Sequence, residues 1–147
     1  IVRIALPAIK EIEQRQAAVF NENAARRGPN KILFVEDDEA VAAGVIALLE
    51  DEHIQVRLAR TGAEALRALR DYEPEVLLID INLPDWNGFD LYDEITRTFE
   101  PMPVVFASGH ADAGRIEGLK TTAPVRMLTK PYAIDTLLET LEALAAA

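Results

Sequence analysis

Acidic, hydroxyl and ammonium side chains stand directly after four short apolar runs of the chain. They are Glu36, Asp37, Asp38, Asp80, Ser108 and Lys130. Crowded carboxylates repel one another, so a cation is expected to share their site. Oxygen ligands with room for water favour Mg²⁺, which commonly shares its coordination sphere with phosphate oxygens. Because a Lys and a Ser hydroxyl can hold further phosphate oxygens, the set suits phosphoryl transfer to a carboxylate nucleophile.

Five apolar, β-branched runs are predicted to be the strands that position these side chains. They are Lys31–Val35, Ile54–Ala59, Val76–Ile79, Val104–Ala107 and Val125–Leu128. Their nearly continuous apolar character predicts strands covered on both faces. Segments of helical period alternate with them, which predicts an α/β fold with a doubly wound, five-stranded parallel sheet. The polar residues therefore meet at the carboxyl edge of that sheet, where ligands bind in such folds.

The helical segments between the strands carry apolar stripes. One face of the first segment carries Val41, Val45, Leu48 and Leu49. The second segment carries Leu66 and Leu69 and can be capped by Thr61, and the third carries Leu91, Ile95 and Phe99. The last segment carries a longer stripe of Ile134, Leu137, Leu138, Leu141 and Leu144. These spacings follow the helical period. Residues 111–123 have the lowest tendency to form a helix because Gly114 and Gly118 disfavour it, so a short, mobile or distorted helix is expected there.

The composition of the chain indicates where the protein works and which partners it can bind. The chain has 147 residues, enough for one domain with an appendage, and a formal net charge of −10. This surplus of negative charge repels phosphate groups. It therefore argues against nucleic-acid binding and against contact with an anionic membrane surface. Cysteine is absent from the sequence, which removes thiolate chemistry and is typical of a cytoplasmic protein. No apolar run approaches the roughly 20 residues of a membrane-spanning helix.

Four motifs occur together in a characteristic order and spacing. They are KILFVEDD at 31–38, VLLIDINLPDWNG at 76–88, Ser108 after the fourth run, and Lys130-Pro131. Together they resemble the receiver (response-regulator) domain of two-component signalling, over about residues 30–147. The resemblance implies a flavodoxin-like, CheY-like (βα)5 fold, here preceded by an N-terminal extension helix.

The resemblance also implies a role for each matching residue. Asp80 becomes the phosphoacceptor, Glu36 and Asp37 the acidic Mg²⁺ pair, and the backbone carbonyl of Asn82 a further metal ligand. Ser108 becomes the hydroxyl that follows the phosphoryl group, and Lys130 its counter-charge, with a cis peptide bond before Pro131. The implied partner is a histidine kinase or a histidine phosphotransfer protein carrying phosphohistidine.

Two departures from the family pattern bear on the switch. Met127 stands three residues before Lys130, where the family often has an aromatic residue that rotates on phosphorylation. The stretch FASGH at 106–110 resembles variant receivers with a Phe-Ala-Thr-Gly signature, which tend to have a reduced fourth helix and often work with kinases of the alphaproteobacterial type.

Residues 1–29 form an appendage with a different charge balance. Residues 1–30 contain five basic and three acidic side chains, against ten and 22 in the rest. Alternation over Val2–Pro7 predicts a strand, and Ile9, Ile12, Val19 and Phe20 predict a helix to about Arg26. The first resembles the last strand of a histidine-kinase ATP-binding domain, which implies the C-terminal receiver of a hybrid sensor kinase. A stand-alone regulator is the alternative, and the helix could also mediate a homodimer.

Two other functional classes share part of this pattern. A magnesium-dependent phosphatase of the haloacid-dehalogenase type also uses an Asp after a strand, but it needs a second Asp two residues on, where this chain has Asn82. A flavodoxin-like cofactor binder needs a glycine-rich phosphate loop after the first strand, where this chain has three acids. The chain therefore lacks the second Asp that the phosphatase requires and the glycine-rich loop that the cofactor binder requires.

Overall fold

The computed structural model describes residues 28–109, 119 and 121–146. The strands are β1 (Lys31–Val35), β2 (Gln55–Ala59), β3 (Val76–Asp80), β4 (Val104–Ser108) and β5 (Val125–Thr129). The helices are α1 (Glu39–Asp51), α2 (Gly62–Ala68), α3 (Gly88–Thr98) and α4 (Ile134–Ala146). The strands form one parallel sheet in the order β2-β1-β3-β4-β5. The predicted five-stranded parallel sheet is therefore confirmed.

Helices cover both faces of this sheet, as expected of a doubly wound fold. On one face, α2 and α3 pack against Leu33, Leu77 and Phe106. On the other, α1 and α4 pack against Phe34, Leu78 and Val105 through residues that include Leu49 and Leu141. Alternate residues of each central strand thus enter opposite cores, because successive side chains of a strand point to opposite faces.

The two edge strands differ from the prediction of burial on both faces. Every residue of β3 and β4 is buried, whereas β2 and β5 alternate between exposed and buried or half-buried residues. Gln55 and Arg57 on β2 and Arg126 on β5 face the solvent. The exposure follows from the strand order, since an edge strand has a neighbour on one side only and its outer rim reaches water.

The apolar face predicted for α1 is only partly correct. Leu49 is buried and Val45 is half-buried, but Val41 and Leu48 are 37% and 45% exposed. Ala42, which the prediction left out, is buried with Leu49. Most of α1 is apolar around its whole circumference, so the period alone does not identify the face that meets the sheet. The stripe predicted on α4 is confirmed, with Leu137, Leu141 and Leu144 buried.

Side chains cap the starts of three helices. Asp38 accepts hydrogen bonds from the backbone N–H groups of Ala40 and Val41, at 3.0 and 3.1 Å. The Thr61 hydroxyl accepts from Glu64 N at 3.1 Å, and Asn87 Oδ1 accepts from Phe89 N at 2.8 Å. The predicted capping by Thr61 is therefore confirmed, and Asp38 and Asn87 cap the helices that follow them in the same way.

Gly88 begins α3 at a point where no side chain fits. A Cβ atom there would lie 2.7 Å from the carbonyl oxygen of Asp80 and 2.8 Å from Ile81 Cα. Because both neighbours are backbone atoms, they cannot rotate away. Gly88→Ala is expected to lower the free energy of unfolding by about 2 kcal/mol. Urea denaturation measures this.

Gly44 supplies the matched control for Gly88. It lies within α1, is exposed, and a Cβ atom there meets nothing within 4 Å. Gly44→Ala is expected to raise the free energy of unfolding by about 0.5–1 kcal/mol, because alanine restricts the unfolded chain. Equal effects of the two substitutions would contradict the close approach at Gly88.

Several sequence predictions fall outside the described residues. They are the strand and helix predicted within residues 1–27 and the segment around Gly114 and Gly118, where a reduced fourth helix is expected. Within the described part of the chain, no helix is long and apolar enough to cross a membrane. His53 lies in the turn after α1, is exposed and has a φ of 65°.

Candidate functional site

Three carboxylates meet at the carboxyl edge of the sheet. One carboxylate oxygen from each of Glu36, Asp37 and Asp80 lies within 4.8 Å of the other two. Glu36 follows β1 and Asp80 ends β3, the strand beside it, so the sheet brings their side chains together. Glu36 is 1% and Asp80 5% exposed, whereas Asp37 faces the solvent. The site is an acidic pocket with one open side.

Lys130 supplies positive charge to this pocket. Its Nζ lies 3.0 Å from Glu36 Oε1 and 3.3 Å from Asp80 Oδ2. The residue follows β5, and its backbone N–H donates to the Ser108 carbonyl at 2.7 Å. The Lys130-Pro131 peptide bond is cis, as the resemblance implied. One ammonium group therefore contacts two of the three carboxylates.

The pocket changes the proton affinity of its members. Burial raises the pKa of Glu36 above its usual range, and the nearby Asp80 charge adds to this, while Lys130 opposes it. Burial opposes the charged form of Lys130, but contacts with Glu36 and Asp80 outweigh burial and raise the pKa of Lys130. Lys130 therefore stays protonated. A further cation that enters the pocket would stabilise the charged form of Glu36.

Ser108 and Asn82 lie close to this centre in the fold. Asp80 pairs with Ala107 on β4, so Ser108 is one residue further along the neighbouring strand, and it is 1% exposed. Asn82 is two residues beyond Asp80, and its backbone N–H donates to Asp80 Oδ1 at 3.1 Å. Asn82 lines a cleft of about 470 Å³ together with Asp37 and Trp86. Trp86 is half-buried beside this cleft.

Tyr132 belongs to the surroundings of the pocket, although sequence analysis did not single it out. Among the described residues, its hydroxyl is the one buried side-chain polar atom without a hydrogen-bond partner. Burial, together with the negative charges of Glu36 and Asp80, raises its pKa to about 12. The hydroxyl is thus neutral and unsatisfied. The only sequence signal for Tyr132 is its position two residues after Lys130. The lack of a hydrogen-bond partner depends on how the side chains pack, which no local pattern shows.

Tyr132→Phe is expected to raise the free energy of unfolding of the metal-free protein by about 1 kcal/mol. The substitution removes a buried hydroxyl that makes no hydrogen bond and keeps the packed ring. Tyr72→Phe is the matched control, because the Tyr72 hydroxyl donates to the Ile32 carbonyl at 3.0 Å. That substitution is expected to lower the stability by a similar amount. Urea denaturation of both variants checks the pair, and a loss of stability in Tyr132→Phe would contradict this description.

Comparison with known proteins decides the family. The profile of the response regulator receiver domain matches residues 32–142. The chain belongs to this family. A structure of the receiver domain of the Francisella response regulator 1452 superposes with a TM-score of 0.69 at 28% identity, over 80% of this chain and 97% of that one. The flavodoxin-like receiver fold is therefore confirmed.

Two curated relatives illustrate the settings in which similar receivers occur. The chain is 28% identical over 117 residues to the sensor kinase CckA of Brucella abortus and 29% identical over 115 residues to the cell cycle response regulator CtrA of Brucella ovis. Each match covers 78% of this chain, but it spans 12% of the kinase and 49% of the response regulator. The chain therefore corresponds to a part of each relative.

Membership in the family establishes the general function. The chain is a receiver domain of two-component signalling, whose members accept phosphoryl groups and interact with histidine kinases or phosphotransfer proteins. Receivers of this family generally use Mg²⁺, and the acidic pocket contains the oxygen donors that such an ion prefers. Met127, which replaces the usual aromatic residue, is half-buried on β5 against the core that contains Phe106.

Proposed function

We propose that this receiver takes a phosphoryl group from phosphohistidine onto Asp80, with Mg²⁺ bound beside it. The observation that carries the proposal is the meeting of Glu36, Asp37 and Asp80 within 4.8 Å, with Lys130 Nζ at 3.3 Å from Asp80. The donor is a histidine kinase or a histidine phosphotransfer protein. No feature of the described residues favours a phosphatase of the haloacid-dehalogenase type, since Asn82 cannot act as the general acid that this class requires.

The donor set of the pocket suits a divalent metal ion. Three carboxylates in close proximity face a single ammonium group, so their negative charge exceeds the positive charge that contacts them. We assign Glu36, Asp37, Asp80 and the backbone carbonyl of Asn82 as the residues that would hold Mg²⁺. The bound ion would neutralise charge on the phosphoryl oxygens during transfer.

Asp80 acts as the nucleophile in the proposed transfer. One carboxylate oxygen of Asp80 forms a bond to phosphorus while the bond between phosphorus and the donor imidazole nitrogen breaks. The imidazole leaves with the electron pair of that bond and takes up a proton, and Asp80 becomes an acyl phosphate. Hydrolysis of the acyl phosphate by water later regenerates the carboxylate and releases inorganic phosphate.

Lys130 and Ser108 are proposed to hold the phosphoryl oxygens after transfer. The Lys130 ammonium already contacts Asp80, so it can follow the negative charge as the charge moves onto the phosphoryl group. The Ser108 hydroxyl can donate a further hydrogen bond from the end of β4. Exchange of these contacts on phosphorylation would bias the receiver between two states.

The parent protein is proposed to be a hybrid sensor kinase with this receiver at its C-terminus, working in the cytoplasm. The alternation of apolar residues in the sequence over Val2–Pro7 supports this context. The similarity to part of a sensor kinase agrees with it but does not decide it, because the similarity to a response regulator is equally strong. The coding sequence upstream of Ile1 tests it. An ATP-binding kinase domain in the same frame supports the hybrid, whereas a start codon directly before Ile1 would favour the stand-alone regulator.

Metal dependence gives the first test of the proposed chemistry. Acetyl phosphate with Mg²⁺ is expected to produce a phosphorylated protein, detected as a mass increase that survives acid and is lost on treatment with hydroxylamine, as an acyl phosphate requires. Removal of Mg²⁺ with a chelator is expected to abolish the label. Equal labelling with and without the metal would contradict the role assigned to the acidic pocket.

A further inference from the structure

The loop between β3 and α3 is closed on itself next to the acidic pocket. Asn82 and Asn87 form an isolated antiparallel bridge across it, and Gly88 N donates to the Ile81 carbonyl at 2.8 Å. The loop includes Asn82, whose carbonyl is proposed as a metal ligand, and it lines the same cleft as Asp37. A displacement of this loop would therefore change the geometry of the proposed metal site.

Asp85, at the tip of this loop, is bound to the start of α2. Its Oδ1 accepts a hydrogen bond from Gly62 N at 2.9 Å, and its Oδ2 accepts one from Ala63 N at 3.1 Å. Thr61 satisfies the next amide, that of Glu64. Both carboxylate oxygens of Asp85 are thus used in charge-assisted bonds to a distant element. Within the described residues, Asp85 is also not part of the acidic cluster of Glu36, Asp37 and Asp80.

Trp86 makes a second contact between the loop and α2. Gly62 is buried, and a Cβ atom there would lie 2.8 Å from Trp86 Cγ and closer still to Cδ1. The indole ring therefore lies directly against the backbone of Gly62, in space that any side chain would occupy. Two contacts therefore hold the loop against α2. One is polar, from Asp85 to the amides of Gly62 and Ala63, and the other is the close packing of Trp86 on Gly62.

We infer that Asp85 and Trp86 are positioning residues for the metal site. By fixing the loop to the N-terminus of α2 before any ion arrives, they hold the Asn82 carbonyl where it can join the carboxylates of the pocket. The inference rests on the proposed function, because it takes the acidic pocket as the Mg²⁺ site. It adds residues that touch neither the ion nor the phosphoryl group but set the affinity for the ion.

Titration with Mn²⁺ tests the inference without any activity measurement. Mn²⁺ binds the same oxygen donors as Mg²⁺, and electron paramagnetic resonance measures the free ion directly. Asp85→Ala is expected to weaken Mn²⁺ binding by about tenfold, the lower end of the range for residues that orient metal ligands. In metal-free protein, the same variant is expected to show faster amide hydrogen exchange in residues 82–87. Circular dichroism confirms that each variant is folded.

Three further variants separate positioning from charge and from stability. Thr61→Ala removes the other cap of α2 without touching the loop, so it is expected to lower the urea midpoint but leave Mn²⁺ affinity unchanged. Asp85→Asn loses the charge but keeps one acceptor, so it should bind Mn²⁺ more tightly than Asp85→Ala. Gly62→Ala should weaken binding with Asp85 intact, because it displaces Trp86.

The outcomes distinguish failure of this inference from failure of the proposed function. Wild-type affinity in both Asp85→Ala and Gly62→Ala would overturn the positioning role and leave the metal site standing. Equal weakening in Asp85→Ala and Asp85→Asn, with no change in Gly62→Ala, would reduce the role of Asp85 to its charge and would also overturn it. Absence of Mn²⁺ and Mg²⁺ binding by the wild-type protein would overturn both proposals.

Discussion

The Asp80→Asn variant is expected to take up no phosphoryl group from acetyl phosphate and Mg²⁺ above the background of the assay. The amide that replaces the carboxylate lacks its negative charge and is a poor nucleophile toward phosphorus. The substitution also removes one of three crowded carboxylates, so it is not expected to lower the stability of the metal-free protein. Loss of labelling can therefore be separated from loss of folding by measuring both in the same preparation.

Asp38→Asn is the matched control for Asp80→Asn. Asp38 stands two residues after Glu36, but its carboxylate caps α1 through Ala40 N and Val41 N. Asparagine caps helices about as well as aspartate, so this variant is expected to remain folded and to be labelled at the wild-type level. Undiminished labelling of Asp80→Asn, or loss of labelling only in Asp38→Asn, would show that the nucleophile is misassigned.

Lys130→Ala is expected to slow phosphorylation by about 100-fold while Mg²⁺ binding is retained. The ammonium is a preorganised positive charge 3.3 Å from the Asp80 carboxylate, and loss of one such group from an active site typically costs a factor of about 100–1,000 in rate. Mg²⁺ binding is measured separately by the fluorescence of Trp86, the single tryptophan of the sequence. This tryptophan lines the cleft that also contains Asp37.

Lys31→Ala provides the control for the loss of a lysine. Lys31 begins β1, far along the strand from Glu36, and its Nζ lies 4.7 Å from the centre of the Tyr72 ring. Its removal is expected to leave the phosphorylation rate unchanged. Lys130→Ala also leaves Glu36 buried without its counter-charge, so both variants are compared at a temperature where denaturation curves show that they are folded. A wild-type rate in Lys130→Ala would remove this residue from the mechanism.

The central strands could be predicted almost to the residue. Strands β1, β3 and β4 are buried on both faces, so their side chains form continuous apolar runs that end where a polar residue enters the crevice. The convergence of Glu36, Asp80 and Lys130 followed from this, because parallel strands end at one edge of the sheet. What the sequence could not indicate is the order of the strands at the edges, which leaves Arg57 and Arg126 in solvent.

The remaining errors and omissions concern contacts between elements. The helical period assigns the exposed Val41 and Leu48 to the core face because α1 is apolar on nearly all sides, whereas only packing on the sheet selects one face. The bonds from Asp85 to Gly62 and Ala63 join residues more than 20 positions apart. No local pattern marks such a pair, and the unsatisfied hydroxyl of Tyr132 likewise arises from what surrounds it in the fold.

The role of Asp80 as the phosphoacceptor is tested most directly by locating the phosphoryl group within the chain. Wild-type protein labelled with acetyl phosphate and Mg²⁺ is reduced with borohydride, which converts a phosphorylated aspartate into homoserine, and is then digested and sequenced by mass spectrometry. Homoserine is expected at position 80 and at no other aspartate. Homoserine at another position, such as Asp37, or a stable phosphate on Ser108 would contradict it.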